Sequence, residues 1–205
     1  LFNHRLSCGT KITTLAISER EFNNHAGNGA FLLSSIVDLA VFIRRIKKET
    51  DVLIVLFHGG LEYYEQPTPK LKKLCRDLID YDADLVTCQH SHIIGSDEFY
   101  NGGYINYGQG NFLFGSRSVS WNTGIALDVV IEEQRFKHVK IKYFRTSNDG
   151  SFHFIKDDDT IVLNQQRQKL NENLLDSKLY NIQWDTRVRS LEHDYLALLL
   201  GLPIN

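Results

Sequence analysis

Two short apolar runs that each end in histidine constrain this sequence more than any other feature. The first run, residues 53–57, leads into His58, and the second, residues 83–88, leads into the Gln-His-Ser-His sequence at 89–92. Each run is too short for most helices, and its mainly apolar character is typical of a buried strand. The runs therefore predict two strands that present three histidines at one edge of a sheet, namely His58, His90 and His92.

A helix between the two runs favours an α/β fold. Thr68 and Pro69 form a helix start, as N-cap and first helical residue, and the apolar positions that follow recur at the spacing of a one-sided helix. Strand, helix and strand in this order predict parallel neighbouring strands, and the carboxyl ends of such strands converge.

Further elements are predicted on both sides of this unit. Residues 11–17 form a β-branched strand, and residues 31–48 form a helix with a serine cap at position 34 or 35. Residues 123–132 and 136–144 form a hairpin, so that the later part of the sheet is antiparallel.

The chain changes character near residue 147. Turn-rich and charge-rich segments begin there, and apolar residues from position 170 onward recur at three- and four-residue steps. We therefore predict a domain over residues 1–146, followed by a linker and amphipathic helical extension over residues 147–205. These helices are expected to pack against the domain or against a partner subunit.

Composition limits the classes of function. The 205 residues are 42% hydrophobic, which is enough for one sizeable core. A balance of 23 basic and 25 acidic residues argues against a general nucleic-acid or membrane-surface binder. Three cysteines do not make a disulfide framework. The chain has neither an initiator methionine nor the plan of a signal peptide, so we expect a piece of a longer protein whose cytoplasmic or cell-surface location is unknown.

The residues around the predicted sheet edge indicate a metal-binding site. Neutral imidazoles that point into one small volume suit zinc, iron, manganese or nickel. Glu62 lies four residues after His58, where it can accept a hydrogen bond from a ligand or move a substrate proton. We assign substrate contacts to four further residues, of which Tyr63 can bind sugar or phosphate and Asn111 can alternatively hold a metal ligand in place: Glu19, Tyr63, Gln89 and Asn111.

Several of these motifs together resemble one known family. They are His-Gly-Gly-x-Glu at 58–62, the Pro-Thr-Pro helix start at 67–69, Gln-His-Ser-His at 89–92, and Tyr-Gly-Gln-Gly-Asn-Phe-Leu-Phe at 107–114. In this order they resemble the CapA family of capsule and poly-γ-glutamate synthesis proteins, which is related to the calcineurin-like metallophosphatases.

The resemblance implies a four-layer α-β-β-α sandwich with a mixed sheet, of which this chain would be the carboxyl-terminal half. It also implies a two-metal site in which His58 and His90 share one ion and His92 reaches the other. Gln89 departs from the glycine that metallophosphatases usually have at this position. A side chain there narrows the approach beside His90 and implies a different substrate or a weaker phosphatase activity.

Other ligands of the family come from an amino-terminal half that would precede this chain. Three histidines can hold one metal but are poor candidates for two, because a two-metal site needs bridging oxygen ligands. Asn23, Asn24 and His25 copy an Asn-Asn-His motif of the family, but their position favours a surface loop, and His4 is weaker still.

Two classes of function follow. The first is a metal-dependent hydrolase in which a metal-activated water attacks a phosphate ester, with two transition-metal ions in the intact protein and one or none in this chain. The second is a non-catalytic binding or assembly protein for poly-γ-glutamate or polysaccharide export. The expected partners are a phosphate ester, polyglutamate or polysaccharide, with no nucleic acid, and a second copy of the chain through its carboxyl-terminal helices.

Overall fold

One mixed sheet carries both of the histidine-bearing strands. The structure, a computed structural model, describes residues 1–19, 31–32, 36–114, 122–147 and 149–200. In chain order its elements are β1 (Phe2–Arg5), β2 (Lys11–Ser18), β3 (Phe31–Leu32), α1 (Ile36–Lys47), β4 (Val52–His58), α2 (Pro69–Asp80), β5 (Leu85–Gln89), β6 (Asp97–Tyr100), β7 (Gly103–Asn106), β8 (Thr123–Glu132), β9 (Arg135–Thr146), β10 (Phe152–Phe154), α3 (Asp157–Leu175) and α4 (Ser177–Leu200).

Within the described residues the main sheet has seven strands, and it confirms the predicted α/β class. Its order is β1-β2-β4-β5-β7-β6, and β3 pairs with β2. The central strands β2, β4, β5 and β7 are parallel, whereas β1 and β6 are antiparallel to their neighbours. Helix α2 connects β4 to β5, as the strand-helix-strand pattern predicts.

The predicted hairpin is confirmed, but it lies in a separate sheet. Strands β8 and β9 pair along nearly their whole length, and β10 adds to β9. The turn between β8 and β9 is at Glu133 and Gln134, which both have positive φ angles. Strands β1, β6 and β10 were not predicted, because three or four residues of mixed polarity carry too little periodicity to identify a strand.

The core forms where α2 covers the main sheet. Thr68 accepts a hydrogen bond from the amide of Leu71 at 3.1 Å and Pro69 follows it, so the helix begins as predicted. Its buried side is the predicted apolar stripe, which consists of Leu71, Leu74, Cys75, Leu78 and Ile79. These side chains pack with those of the parallel strands in one hydrophobic cluster.

Strand β4 is buried less evenly than predicted. Leu53, Val55 and Phe57 are fully buried, but on the opposite face Leu56 is 39% exposed and His58 is also exposed. Since successive side chains alternate between faces, the face that carries His58 opens towards solvent at its carboxyl end. An open face is what a site that admits a ligand requires.

The predicted start of the first helix is wrong. Phe31 and Leu32 form the short strand β3, which pairs in parallel with Ile17 and Ser18 at the end of β2. Pairing with an available sheet edge overrides a helical pattern in two apolar residues. The described helix α1 begins at Ile36, and the serine caps proposed at positions 34 and 35 lie outside the described residues.

The carboxyl-terminal helices pack against the domain. Leu174 of α3 and Tyr180 of α4 belong to the main hydrophobic cluster, and the Tyr180 hydroxyl donates to the Pro67 carbonyl at 3.0 Å. Arg167 pairs with the buried carboxylate of Asp97 at 2.6 Å. The boundary at residue 147 stays a prediction. None of the helices in the described ranges is both long and apolar enough to cross a membrane.

A buried carboxylate ties α2 to β6. The side chain of Glu98 is 2% exposed and accepts two hydrogen bonds from Arg76, at 2.9 and 2.6 Å. The Tyr107 hydroxyl donates to the same carboxylate at 2.7 Å, and burial raises the pKa of Tyr107, so this donor keeps its proton. Because Glu98 is removed from water, it depends on both partners.

Replacing Arg76 should therefore destabilise the fold strongly. We expect Arg76→Met to lower the free energy of unfolding by about 3 kcal/mol, because the buried charge of Glu98 loses its counter-ion. Urea denaturation measures this change. As a matched control on the same helix, Lys73→Met breaks the exposed pair with Asp77 and should cost less than about 0.5 kcal/mol. Equal effects of the two substitutions would contradict this account of Glu98.

Candidate metal centre

Parallel pairing of β4 with β5 brings the two histidine segments together. His58 lies opposite Gln89 in the strand register, and the amide of Gly59 donates to the Gln89 carbonyl at 3.1 Å. The residues that follow Gln89 therefore start at the same sheet edge as His58. His4 lies on β1 opposite Ile12, which pairs with the other end of β4, so it is remote from this edge. The Asn23, Asn24 and His25 motif lies outside the described residues.

The backbone at this edge is folded into unusual conformations. Tyr63, His90 and His92 have φ angles of 56°, 111° and 62°, in a region of backbone conformation that residues other than glycine rarely adopt. Two hydrogen bonds hold the turn, since the Tyr63 amide donates to the Ser91 carbonyl at 3.0 Å and the Ser91 hydroxyl donates to the Ile93 carbonyl at 3.0 Å. Such strain persists where the surrounding structure enforces it, and it is concentrated at functional sites.

The turn directs two imidazoles towards one carboxylate. Ligand atoms of Glu62, His90 and His92 all lie within 4.8 Å of one another. One oxygen of Glu62 is 3.8 Å from Nε2 of each histidine. The side chains of the two histidines are 14% and 18% exposed, so a solute can reach the group from one side. Two imidazoles and a carboxylate are a donor set that fits zinc, manganese, iron or nickel.

His58 lies beside this group. Its ring centroid is 5.2 Å from that of His90, at an angle of 55° between the ring planes. Partial burial lowers the pKa of His58, repulsion by His90 and His92 lowers it further, and Glu19 opposes the shift. Within the described residues, the tight group of donors therefore contains Glu62 and two histidines and leaves His58 outside. Its assignment as a metal ligand stays a prediction.

His92 is held by contacts on three sides. Its Nδ1 lies 2.9 Å from the amide oxygen of Asn111, which is 6% exposed. Because an amide oxygen only accepts, the ring donates from Nδ1, and in the neutral tautomer the lone pair is on Nε2, the atom that faces Glu62. The rings of Phe114 and Tyr63 lie 4.5 and 5.9 Å from the imidazole. Asn111 thus orients a candidate metal ligand, which is the alternative to a substrate contact for this amide.

Glu19 and Gln89 also lie at this edge. The Glu19 amide donates to the His58 carbonyl at 3.0 Å, and its carboxylate accepts from the amide of Gly60 at 3.3 Å. A Cβ on Gly59 would lie 2.7 Å from the Glu19 carboxyl carbon, so a larger residue at this position would displace the Glu19 side chain. Gln89 donates from its amide to Gln109 at 3.0 Å. The substrate contacts assigned to Glu19, Gln89, Asn111 and Tyr63 stay predictions.

Sequence reasoning did not identify two contributors to the site. Phe114 packs on His92, and Gln109 fixes the side chain of Gln89. Both belong to the motif at 107–114, which carries the family resemblance but does not show which of its side chains face the histidines.

Comparison with known proteins identifies relatives of this region. Residues 9–116 match the model of the family described as "Bacterial capsule synthesis protein PGA_cap". The chain is 31% identical over 112 residues to the PGA biosynthesis protein CapA of Bacillus subtilis (strain 168), in an alignment that covers 51% of this chain and 30% of that protein. It is 35% identical over 68 residues to the capsule biosynthesis protein CapA of Bacillus anthracis, covering 33% of this chain and 16% of that protein.

The chain thus spans less than a third of either relative's length. Among solved structures, a putative 5'-nucleotidase from Staphylococcus aureus in complex with alpha-ketoglutarate aligns with a TM-score of 0.41 and 12% sequence identity. That alignment covers 85% of this chain and 33% of the other.

Removing the Asn111 amide should weaken metal binding without removing a candidate ligand. We expect Asn111→Ala to lower the affinity for zinc or manganese by about 10- to 100-fold, because the His92 ring loses the acceptor that fixes its orientation. Isothermal titration calorimetry measures the affinity. Gln109→Ala removes a neighbouring amide that contacts Gln89 instead of a histidine, and it should change the affinity little. Equal losses in both variants would contradict the orienting role.

The proximity of the histidines can be tested by titration of the metal-free protein. His58 should titrate below 6.5, and His90→Ala should raise its pKa towards that value because one source of repulsion is removed. Because the pKa of His58 is lowered in the folded state, His58 contributes fully to the free energy of unfolding at pH values above its unfolded-state pKa. This contribution is lost as the pH falls through the folded-state pKa. NMR titration of the imidazole protons checks this; an unshifted His58 in the variant would show that the two rings do not interact.

Proposed function

The chain belongs to the family of the bacterial capsule synthesis protein PGA_cap, and from this premise we propose that it forms part of a metal-dependent hydrolase that cleaves phosphate esters in capsule or extracellular polymer synthesis. The observation that carries the proposal is the approach of Glu62, His90 and His92 to within 4.8 Å of one another at an open sheet edge. Their ring nitrogens and carboxylate oxygens suit a transition-metal ion.

A divalent ion held by these three residues would supply Lewis acidity for a phosphoryl oxygen and lower the pKa of a water. The chain's own residues do the rest. Asn111 holds the His92 ring so that its Nε2 faces Glu62. Glu62 is 45% exposed, which leaves one carboxylate oxygen accessible either for an ion or for a substrate proton.

Partial burial and repulsion by His90 and His92 lower the pKa of His58, which favours the neutral ring that binds metals or accepts a proton. We propose His58 as a further ligand in the intact protein, where two ions would bind. We also propose that four side chains near this edge contact a phosphate ester or a polymer end. They are Glu19, Tyr63, Gln89 and Asn111.

A second copy of the chain is the proposed protein partner. Helices α3 and α4 expose several large apolar side chains, which supports an interface there. The most exposed are Ile161, Val162, Leu175, Leu179, Ile182, Tyr195 and Leu196.

The alternative is a non-catalytic protein that binds poly-γ-glutamate or polysaccharide during synthesis and export. The names of the relatives favour it, since both describe biosynthesis. A metal at the same edge would then organise a binding site. The two functions differ in one measurable respect, because only the hydrolase turns over an ester.

The hydrolase proposal is tested by metal content and by turnover of p-nitrophenyl phosphate and its diester. We expect the protein loaded with manganese or zinc to retain about one ion per chain on the described side chains. His90→Ala should lose this ion and lower turnover by at least about 100-fold, since it removes a ligand and not only an orienting contact. Mass spectrometry of the metal and release of nitrophenol give the two measurements.

His138→Ala is the matched control, because this histidine lies on β9 near its turn, away from the sheet edge. It should keep both the ion and the turnover. A protein that binds no transition metal at neutral pH would refute the hydrolase. Retention of the ion with no turnover of either ester, together with binding of the polymer, would establish the alternative.

A further inference from the structure

An apolar groove begins next to the candidate metal centre. It has a volume of about 450 Å³, and we call it the phenylalanine groove because Phe112, Phe144, Phe152 and Phe154 line it. Aliphatic side chains of β8 complete its wall, and the amides of Gln89 and Gln109 lie at one end. This volume is in the range of small-molecule sites.

The four phenylalanines form one connected cluster. Phe112 meets Phe144 and Phe152 edge to face with ring centroids 5.5 and 5.6 Å apart, and Phe152 meets Phe154 at 5.2 Å. Phe144 is buried against Gly124, where an added Cβ would lie 2.5 Å from the ring. The cluster is therefore anchored in the second sheet.

The other three rings remain accessible. Phe112, Phe152 and Phe154 are 53%, 44% and 51% exposed. Contiguous exposed rings of this kind are costly in water and mark a binding surface. The shape of the wall is therefore maintained by Phe144, while the exposed rings are free to gain contacts with a ligand.

Two residues that line the groove are chain neighbours of residues at the candidate metal centre. Gln89 immediately precedes His90, and Phe112 immediately follows Asn111, the residue that holds His92. A ligand whose phosphate lies at Glu62, His90 and His92 can thus extend past the two glutamines into the groove.

The side chains that line the groove favour one class of ligand over others. None of the described residues that line the groove carries a charge, so a polyanion such as polyglutamate would find no counter-ion there. Sugar hydroxyls would lose water for few partners, because the two glutamine amides, which share one hydrogen bond, are the only polar side chains among the described residues that line the groove. A hydrocarbon chain needs neither charges nor hydrogen bonds and gains free energy from every methylene that it buries.

We propose that the phenylalanine groove binds the hydrocarbon chain of an amphipathic phosphate ester whose phosphate lies at the metal centre. This inference deepens the proposed function and rests on it for the position of the phosphate. It names the substrate class as an alkyl or prenyl phosphate, or a phosphodiester that carries such a chain. The groove then determines specificity, and the metal centre reacts with the head group.

The test measures how affinity changes with chain length. Butyl, hexyl, octyl and decyl phosphate are titrated into the metal-loaded protein by calorimetry, below the concentrations at which they form micelles. We expect the dissociation constant to fall by about two- to fourfold per methylene until the groove is filled. The corresponding alcohols are titrated in parallel, because their binding does not need the metal centre.

Two variants locate the binding. The Phe152→Ala and Phe154→Ala double variant should abolish most of the chain-length dependence while butyl phosphate still binds. Phe99→Ala is the control, because it removes a comparably exposed ring, 60% accessible, on β6 outside the groove. It should leave the chain-length dependence of the affinity unchanged. Near-ultraviolet circular dichroism confirms that each variant retains its tertiary packing.

The outcomes separate this inference from the proposed function. Three results would overturn the inference. The affinity does not change along the alkyl phosphate series, the affinity rises only for phenyl or glucosyl phosphate, or the chain-length dependence of the affinity survives in the double variant. If the protein hydrolyses no ester but shows the chain-length dependence for both series, the groove is supported and the hydrolase is not. If it hydrolyses p-nitrophenyl phosphate without any chain-length dependence, the hydrolase is supported and the groove inference fails.

Discussion

The parallel pairing of β4 with β5 is the interaction on which the candidate site depends. It places His58 beside Gln89 and fixes the start of the turn that carries His90 and His92. A shift of one residue in this register would turn every side chain of one strand to the other face. The fully buried side chains of Leu53, Val55 and Phe57 prevent that shift, because it would move them out of the core. Hydrophobic packing below the edge thus sets the geometry of polar groups at the edge.

Helix α2 secures this pairing from one side. It buries its apolar stripe on the sheet, and Arg76 reaches from it to the buried carboxylate of Glu98 on β6. Helices α3 and α4 extend the same layer, with Leu174 and Tyr180 in the common core. A long stretch of chain outside the matched family region therefore supports the scaffold of the site, since residues 117–205 lie beyond that match and include both helices.

Sequence reasoning succeeded where short-range patterns decide the outcome. The N-cap at Thr68, the stripe on α2 and the parallel strands on either side of it follow from local periodicity and from the handedness of the crossover. It failed at Phe31 and Leu32, where a sheet edge some distance away in sequence determined the structure. At the site, it predicted three histidines at one edge but did not foresee that Glu62, and not His58, would form the tight donor group with His90 and His92, because turn conformations decide side-chain directions. The phenylalanine groove was not predicted either, since it joins Phe112 to rings more than thirty residues later in the chain.

The left-handed backbone at His90 and His92 has a kinetic consequence. The hydrogen bond between Tyr63 and Ser91 helps to hold the strained backbone, so both imidazoles are directed at Glu62 before any ligand binds. A cation that reached this edge would meet these donors already in place, so its capture would need little rearrangement of the backbone. The rate of capture would then depend on how fast the ion loses its bound water.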